Sequence, residues 1–440
     1  MNKLTETKNK LDTISPSLCL AKWQQVTVHL QNGHTHSCHH PQTHKIPLVE
    51  LENNPSALHN TKYKKQQRRL MLHGERPAEC SYCWKVEDTD GDHHSDRIKK
   101  SSNSTWAWPY FDSVVSSPWD ADVTPRQMEV SFGNVCNMRC VYCSPVFSSE
   151  WWSEIKTHGA YPTSDKFNNL EWIAETDRTP YLNREHNPYV EAFWKWWPDL
   201  KKKLKIIRIT GGEPLLNKNT FALLDDIERY PTPDLSVEIN TNLSVPQEKI
   251  QQCLDQLSRL KSSGKIKDCR IYTSCDCAGK QAEYIREGLN YDRWLSHCEM
   301  VVKTGISLHI MVTANMFSID TMIDLMTAVY RLKQRYSGVT YGVSILHSPK
   351  FLNVLLLPKT VYWKQKFQDL FDYVQQQPET NMNEFNYVQR LMNYFNDNSI
   401  EYDELKLLRR DAYMFVQEID RRRNKNFTNT FSNYNFLTSV

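Results

Sequence analysis

The chain has no excess charge of either sign: among 440 residues, 54 Lys and Arg stand against 51 Asp and Glu, a formal net charge of +3. A balance this close gives bulk electrostatics no hold on a nucleic acid or an anionic membrane, so any partner must be recognised at a site. Long apolar runs are missing too. No stretch approaches the roughly 18 consecutive apolar residues of a bilayer span, and Met1 to Cys19 shows no apolar region of a secretory leader. No fixed-period repeat is visible, which argues against a solenoid. The expectation is a chain in a reducing cytoplasm, where the 12 cysteines read as metal ligands or reduced thiols and not as disulfides. At this length the chain can bury more than one core, and two domains with an extension are expected.

What stands out is Cys136-Asn137-Met138-Arg139-Cys140-Val141-Tyr142-Cys143, a CxxxCxxC stretch entered from the run Met128 to Phe132. With 12 cysteines in 440 residues, about 0.009 such triplets are expected by chance. Three thiolates on one tight loop hold three irons of a [4Fe–4S] cube, and no further Cys follows before Cys253 to close the fourth. An iron left open is a place for a small molecule. A three-thiolate zinc site and buried structural thiols are the competing readings.

The second signature is Ile209-Thr210-Gly211-Gly212-Glu213-Pro214, at the end of an expected strand. Gly211 and Gly212 let backbone approach a ligand closely, and Glu213 can accept a hydrogen bond from an ammonium group. Taken together, CxxxCxxC and GGEP resemble the radical S-adenosylmethionine (SAM) enzymes. The resemblance implies that SAM chelates the open iron through its amino and carboxylate groups, that Tyr142 lies beside the adenine, and that Glu213 receives the amino group. It further implies reductive cleavage of SAM to a 5′-deoxyadenosyl radical that abstracts hydrogen from the substrate, with a one-electron reductant of flavodoxin or ferredoxin type as partner. Asn242, Ser274, Asp276 and Arg286, at or after later strand ends, are the expected contacts of ribose hydroxyls and carboxylate; for Asn242 a simple Asx turn competes.

Residues 1 to 120 carry a second set: Cys19, then Gly33 and Cys38, then Cys80 and Cys83 as CxxC. Four thiolates make a closed site. The Cys-x13-Gly-x4-Cys spacing and the CxxC after it resemble the auxiliary-cluster domain of the SPASM and twitch branch, with Ser95, Asp96 and Arg97 inside the resemblance. That domain usually follows the barrel, and here it precedes it. Zinc is the rival, because His34, His36, His39, His40 and His44 lie close in sequence. The acidic run Glu87 to Asp92 lacks the terminal Glu of a calcium loop.

Residues 101 to 125, rich in Ser, Pro and Trp, read as a connector on the surface. Strands are expected at Met128 to Phe132, Lys205 to Thr210, Leu235 to Asn240, Arg270 to Ser274, Ser307 to Thr313 and Tyr341 to Leu346, with helices between most of them. The pattern predicts an α/β fold: a partial (β/α)6 TIM-type barrel over 121–358, preceded by a cysteine-rich auxiliary domain over 1–120 and followed by a helical extension over 359–440. Ser148 to Leu204 interrupts it as an insertion in which Phe193-Trp194-Lys195-Trp196-Trp197-Pro198 reads as a core-packing helix, with a substrate-stacking platform as the alternative. Cys253, Cys269, Cys275, Cys277 and Cys298 read as structural thiols. Lys64, Lys65, Arg68 and Arg69, and the run Arg421-Arg422-Arg423, read as solvated faces, and the end of the chain as mobile.

The substrate is open between a peptide or protein, the commonest choice of SPASM and twitch relatives, and a nucleotide, sugar or other small metabolite. A zinc-binding structural or interaction protein is the reading from another class. The separated cysteine sets predict two clusters: anaerobically reconstituted protein should lose about half its iron when Cys136, Cys140 and Cys143 become Ala. Loss of nearly all iron, or of none, would contradict two independent sites.

Overall fold

The computed structural model describes residues 3–89, 94–182 and 186–437; of the acidic run, Asp90, Gly91 and Asp92 lie outside the described residues. Its strands are β1 (Gln25–His29), β2 (His34–His36), β3 (His44–Lys45), β4 (Gln127–Ser131), β5 (Arg139–Cys140), β6 (Ile206–Thr210), β7 (Thr232–Asn240), β8 (Ile266–Ser274), β9 (Arg286–Glu287), β10 (Ser307–Ala314) and β11 (Val339–Ile345). Nine of them form one sheet in the order β11-β10-β8-β7-β6-β4-β1-β2-β3, while β5 and β9 make a separate antiparallel ladder. The six strands expected from the sequence are β4, β6, β7, β8, β10 and β11, each parallel to its neighbours.

Period-2 alternation decides which face is which. In β10, Leu308, Ile310, Val312 and Ala314 are buried, whereas Ser307, His309, Met311 and Thr313 alternate with them on the inner face. Cross-strand register then lines up Glu129, Arg208, Glu238 and Arg270 as a polar row inside the sheet. Arg208 Nε donates to Glu238 Oε2 at 2.9 Å and its guanidinium lies 3.8 Å from the Tyr272 ring centroid. The interior is therefore charged and aromatic, while crossover helices cover the apolar face.

Three sequence expectations for residues 1–125 are corrected by the structure. First, the N-terminal region does not stand apart: β1 pairs in parallel with β4, β2 and β3 extend the same sheet, and Val26, Val28 and Leu30 join the main core. A second core holds Leu11, Leu18, Trp23, Met71, Cys80, Cys83 and Trp84. Second, the 101–125 segment is not a surface connector, because Trp106, Ala107, Phe111 and Val114 are buried in that second core. Third, the helix Lys62–Leu72 turns Lys64 and Arg68 inward. Arg68 Nη1 donates to Asn60 Oδ1 at 3.0 Å and Lys64 Nζ to His59 Nδ1 at 3.1 Å. Lys65 and Arg69 on that helix are not buried.

The insertion contains helix Pro188–Leu200, which buries Phe193, Trp196 and Trp197 and sets Phe193 edge-on to Phe132, as a core-packing helix should. The extension contributes helices Val361–Gln376, Met382–Asp397 and Tyr402–Arg423. The second of these runs along β11, the outer parallel strand, where Glu384 Oε1 accepts Tyr341 N at 3.1 Å and Arg390 Nη2 donates to Val343 O at 2.9 Å. Side chains thereby satisfy an edge that would otherwise present unpaired backbone. The chain end is packed and not mobile up to Leu437: Phe427, Phe431, Tyr434 and Leu437 are buried, the three rings around Phe317. Ser439 and its two neighbours fall outside the described residues.

Glu384 is buried and paired at 2.5 Å with Lys333, whose side chain is 7% exposed. Glu384→Ala leaves that ammonium and the Tyr341 N–H without their partner, which should cost about 3–5 kcal/mol in urea unfolding; a loss below about 1 kcal/mol would show that the edge is held by other contacts.

Candidate active site

The Cys136 loop leaves the C-terminal end of β4, where parallel α/β sheets place their sites. Its backbone is strapped from outside. Ser149 N donates to Asn134 O at 2.7 Å, Cys136 N to Ser149 Oγ at 3.1 Å, and Ser148 Oγ to Met138 O at 2.7 Å. Farther along, Trp151 Nε1 donates to Cys140 O at 2.9 Å and Val141 N to Ile285 O at 2.8 Å, beside the β5–β9 ladder. The three cysteines themselves are half-buried. Burial pushes all three up, Cys143 to about 12, so a metal taking them as thiolates displaces protons.

The GGEP segment is laced onto this loop. Gly212 N donates to Gly133 O at 3.1 Å and Glu213 N to Val135 O at 2.7 Å. Gly211 has φ +125°, and a Cβ there would lie 2.7 Å from Ser131 Oγ; a Cβ on Gly212 would overlap Val135 O. Glu213 is 1% exposed. Its Oε1 accepts Leu215 N at 2.9 Å and its Oε2 accepts Asn242 N at 2.7 Å, while burial pushes the carboxyl up to about 7. Asn242 does form the Asx turn, accepting Ser244 N at 2.8 Å, yet its Nδ2 also reaches Asn137 Oδ1 at 2.8 Å, so it joins Glu213 to the cysteine loop.

Tyr142, Asp276 and Arg286 come together beside Cys140. Arg286 holds Asp276 with Nε and Nη2 at 3.0 and 3.1 Å, and Nη2 also bonds the Tyr142 hydroxyl. Tyr142 OH and Thr313 N donate to the two carboxylate oxygens at 2.7 and 2.9 Å. Each oxygen of Asp276 thus accepts two hydrogen bonds from protein, and its expected role on a ribose hydroxyl gives way to fixing Arg286. Arg286, expected on the SAM carboxylate, spends its fork on Asp276. Ser274 lies on the interior face opposite Met311 in the register.

Residues 130–329 match the family model described as the Radical SAM superfamily. These residues are a radical SAM domain. The chain is an enzyme that cleaves SAM, with its substrate unspecified. Solved structures with a similar course include Streptococcus suis SuiB bound to SAM, 13% identical over 82% of this chain and 71% of that one with a TM-score of 0.37. Another is anSMEcpe with bound AdoMet and Cp18Cys peptide, 14% identical over 56% and 57% with a TM-score of 0.33. No curated protein matches the chain.

Away from the radical SAM loop, Cys19, Cys38, Cys80 and Cys83 line one cavity together with Lys22, Arg97 and Lys100. Cys19 precedes β1 and Cys38 follows the antiparallel β2, so this cavity lies where the parallel strands begin, and the Cys136 loop lies where they end. Burial pushes Cys80 and Cys83 up to about 12. Among the described residues, no three His, Cys, Asp or Glu side chains converge on a point as ligands of one ion do. Three of the five histidines of the zinc reading have other partners: His34 bonds Asp177 O at 2.8 Å, His40 bonds Asp96 at 2.8 Å and His44 bonds Thr61 at 3.0 Å. Arg97, unassigned from sequence, pairs with Glu87 at 2.9 Å and donates to Leu18 O at 2.9 Å. The five remaining cysteines are buried, as expected of structural thiols.

Sequence reasoning missed the lock behind Cys140. Arg423 is buried, not solvated, Arg422 is half-buried with its side chain 3% exposed, and only Arg421 is fully on the surface. Arg423 holds Glu154 with Nε at 2.9 Å and Nη2 at 3.0 Å and donates to Arg139 O at 2.8 Å. Its signal was helical spacing: Phe415, Ile419 and Arg423 fall on one stripe at i, i+4 and i+8. Gly212→Ala should push the Val135 carbonyl aside and lower the iron that anaerobically reconstituted protein takes up. Iron and sulfide analysis checks this, and full iron content would show that the loop can yield.

Proposed function

We propose that the enzyme holds a [4Fe–4S] cluster on Cys136, Cys140 and Cys143, a second on Cys19, Cys38, Cys80 and Cys83, and acts on a peptide or protein. The observation that carries the SAM side is the backbone lacing of Gly212 and Glu213 onto the cysteine loop, which sets a buried carboxylate near the Cys136 thiol. The first cluster with SAM supplies reductive cleavage to a 5′-deoxyadenosyl radical for hydrogen abstraction. The protein binds and orients. Glu213 has lone pairs left after Leu215 N and Asn242 N, and in this reading they take the SAM ammonium. Asn242 holds that carboxylate in register with the loop, Gly211 and Gly212 leave room for SAM beside it, Tyr142 presents its ring and Ser274 faces the interior.

For the second cluster, the support is the single cavity lined by four thiols. Four protein ligands leave no open iron, and Lys22, Arg97 and Lys100 offset the negative charge of a thiolate-bound cube. A peptide substrate rests on the resemblance of the N-terminal set to SPASM and twitch domains and agrees with an interior of paired charges that suits polar groups.

Reduced protein incubated with SAM should release 5′-deoxyadenosine even without substrate. Because the ligand-free Glu213 carboxyl is held near pH 7, it must ionise to take an ammonium. SAM affinity should therefore fall about tenfold per pH unit below 7 and level off above it. Glu213→Gln should weaken binding at pH 8 by about 10- to 150-fold and abolish the slope. An affinity flat from pH 5.5 to 8 in the unsubstituted protein would place the ammonium elsewhere.

A further inference from the structure

We propose that Arg286 raises the reduction potential of the cluster on the Cys136 loop, and that Asp276 sets how much of its charge the cluster feels. This rests on the reading that a cluster occupies that loop. The geometry is independent of SAM. Cys140 and Arg286 are direct partners in the β5–β9 ladder, so their side chains share a face. Arg286 Nη1 lies 3.8 Å from Cys140 Sγ. Cys143 Sγ instead faces the Ser144 carbonyl at 3.8 Å, so the guanidinium is an asymmetric feature of the site.

The guanidinium cannot turn away. Its Nε and Nη2 edge is fixed on Asp276, which is fully buried, and Tyr142 OH takes a further bond from Nη2. Asp276 in turn is held by Thr313 N on β10 and by Tyr142. The carboxylate therefore sits on the edge remote from Cys140, and the sulfur meets the positive end of a buried pair. An N–H donor and a positive charge at a ligating sulfur stabilise the reduced cluster, which carries one more negative charge. Low dielectric keeps the effect from being screened as it would be at a surface.

The test is an electron paramagnetic resonance redox titration of the reconstituted full-length enzyme without SAM, following the signal that responds when SAM is then added. Arg286→Gln removes the donor and exposes Asp276, so the reducible fraction at a fixed potential should fall at least tenfold, a shift of 59 mV for one electron. Asp276→Asn keeps the donor and removes the offsetting charge, so the potential should move the opposite way. Arg286→Lys should lie between Arg286→Gln and the unsubstituted protein. If Arg286→Gln fails to load iron, Asp276→Asn decides alone: a rise supports the inference, and no change or a fall overturns it. Two single variants shifting in the same sense would also overturn it, as structural damage would do that. Normal signals with unmoved potentials would overturn this inference alone, whereas no SAM-responsive signal in the unsubstituted protein would overturn the cluster reading and this inference with it.

Discussion

Glu154 is the residue on which the cysteine loop leans. It sits on the helix Ser149–His158 that follows the loop, 1% of its side chain is exposed, and it receives Arg423 bidentately, Arg139 at 3.1 Å and Tyr161 OH at 2.5 Å. A carboxylate buried this deeply is tolerable only because cations meet it, and those cations come from the loop itself and from the last turn of a helix far along the chain. Cys140 is thereby fixed from one side through Arg139, from a second through Trp151 Nε1, and from a third through the β9 strand that brings Arg286. The thiol-bearing loop keeps its shape because the backbone groups of Cys136, Met138, Arg139, Cys140 and Val141 named above already have partners.

The same principle separates what could be read from the sequence from what could not. Spacing within one loop is local, so CxxxCxxC and GGEP were legible, and period-2 apolar runs gave the six parallel strands β4, β6, β7, β8, β10 and β11. Arg286 was rightly singled out, but its partners were not. Tyr142, Asp276 and Arg286 meet only after β8 and β9 return to the loop, and nothing in a linear pattern shows that Asp276 will saturate its own oxygens. Buried cations were missed for a related reason. Lys64, Arg68 and Arg423 have the composition of solvent-facing residues, and only their place on an apolar helical stripe betrays burial. The hairpin β1–β2 was read for its ligands, and its role as a sheet extension went unseen because five residues are a weak signal beside a cysteine pattern.

That hairpin also connects the two thiol sites. Five-residue strands separate the ends of β1 by about 13 Å. Along it, His36 Nδ1 bonds the Cys38 carbonyl, His36 and His29 face each other through Nε2 atoms 3.3 Å apart, and His29 sets its edge on Phe147, four residues past Cys143. Burial holds both imidazoles well below their usual range, so both are neutral and one N–H can bridge them. The N-terminal site is thus joined to the radical SAM loop by packed rings and not by a solvent gap.

The Arg423–Glu154 contact also orders events in time. Its two partners are 269 residues apart in the chain, so during synthesis Cys136, Cys140 and Cys143 leave the ribosome long before their clamp exists. Until the C-terminal helix docks, Glu154 lacks its bidentate counterion and is held to the loop by Arg139 alone.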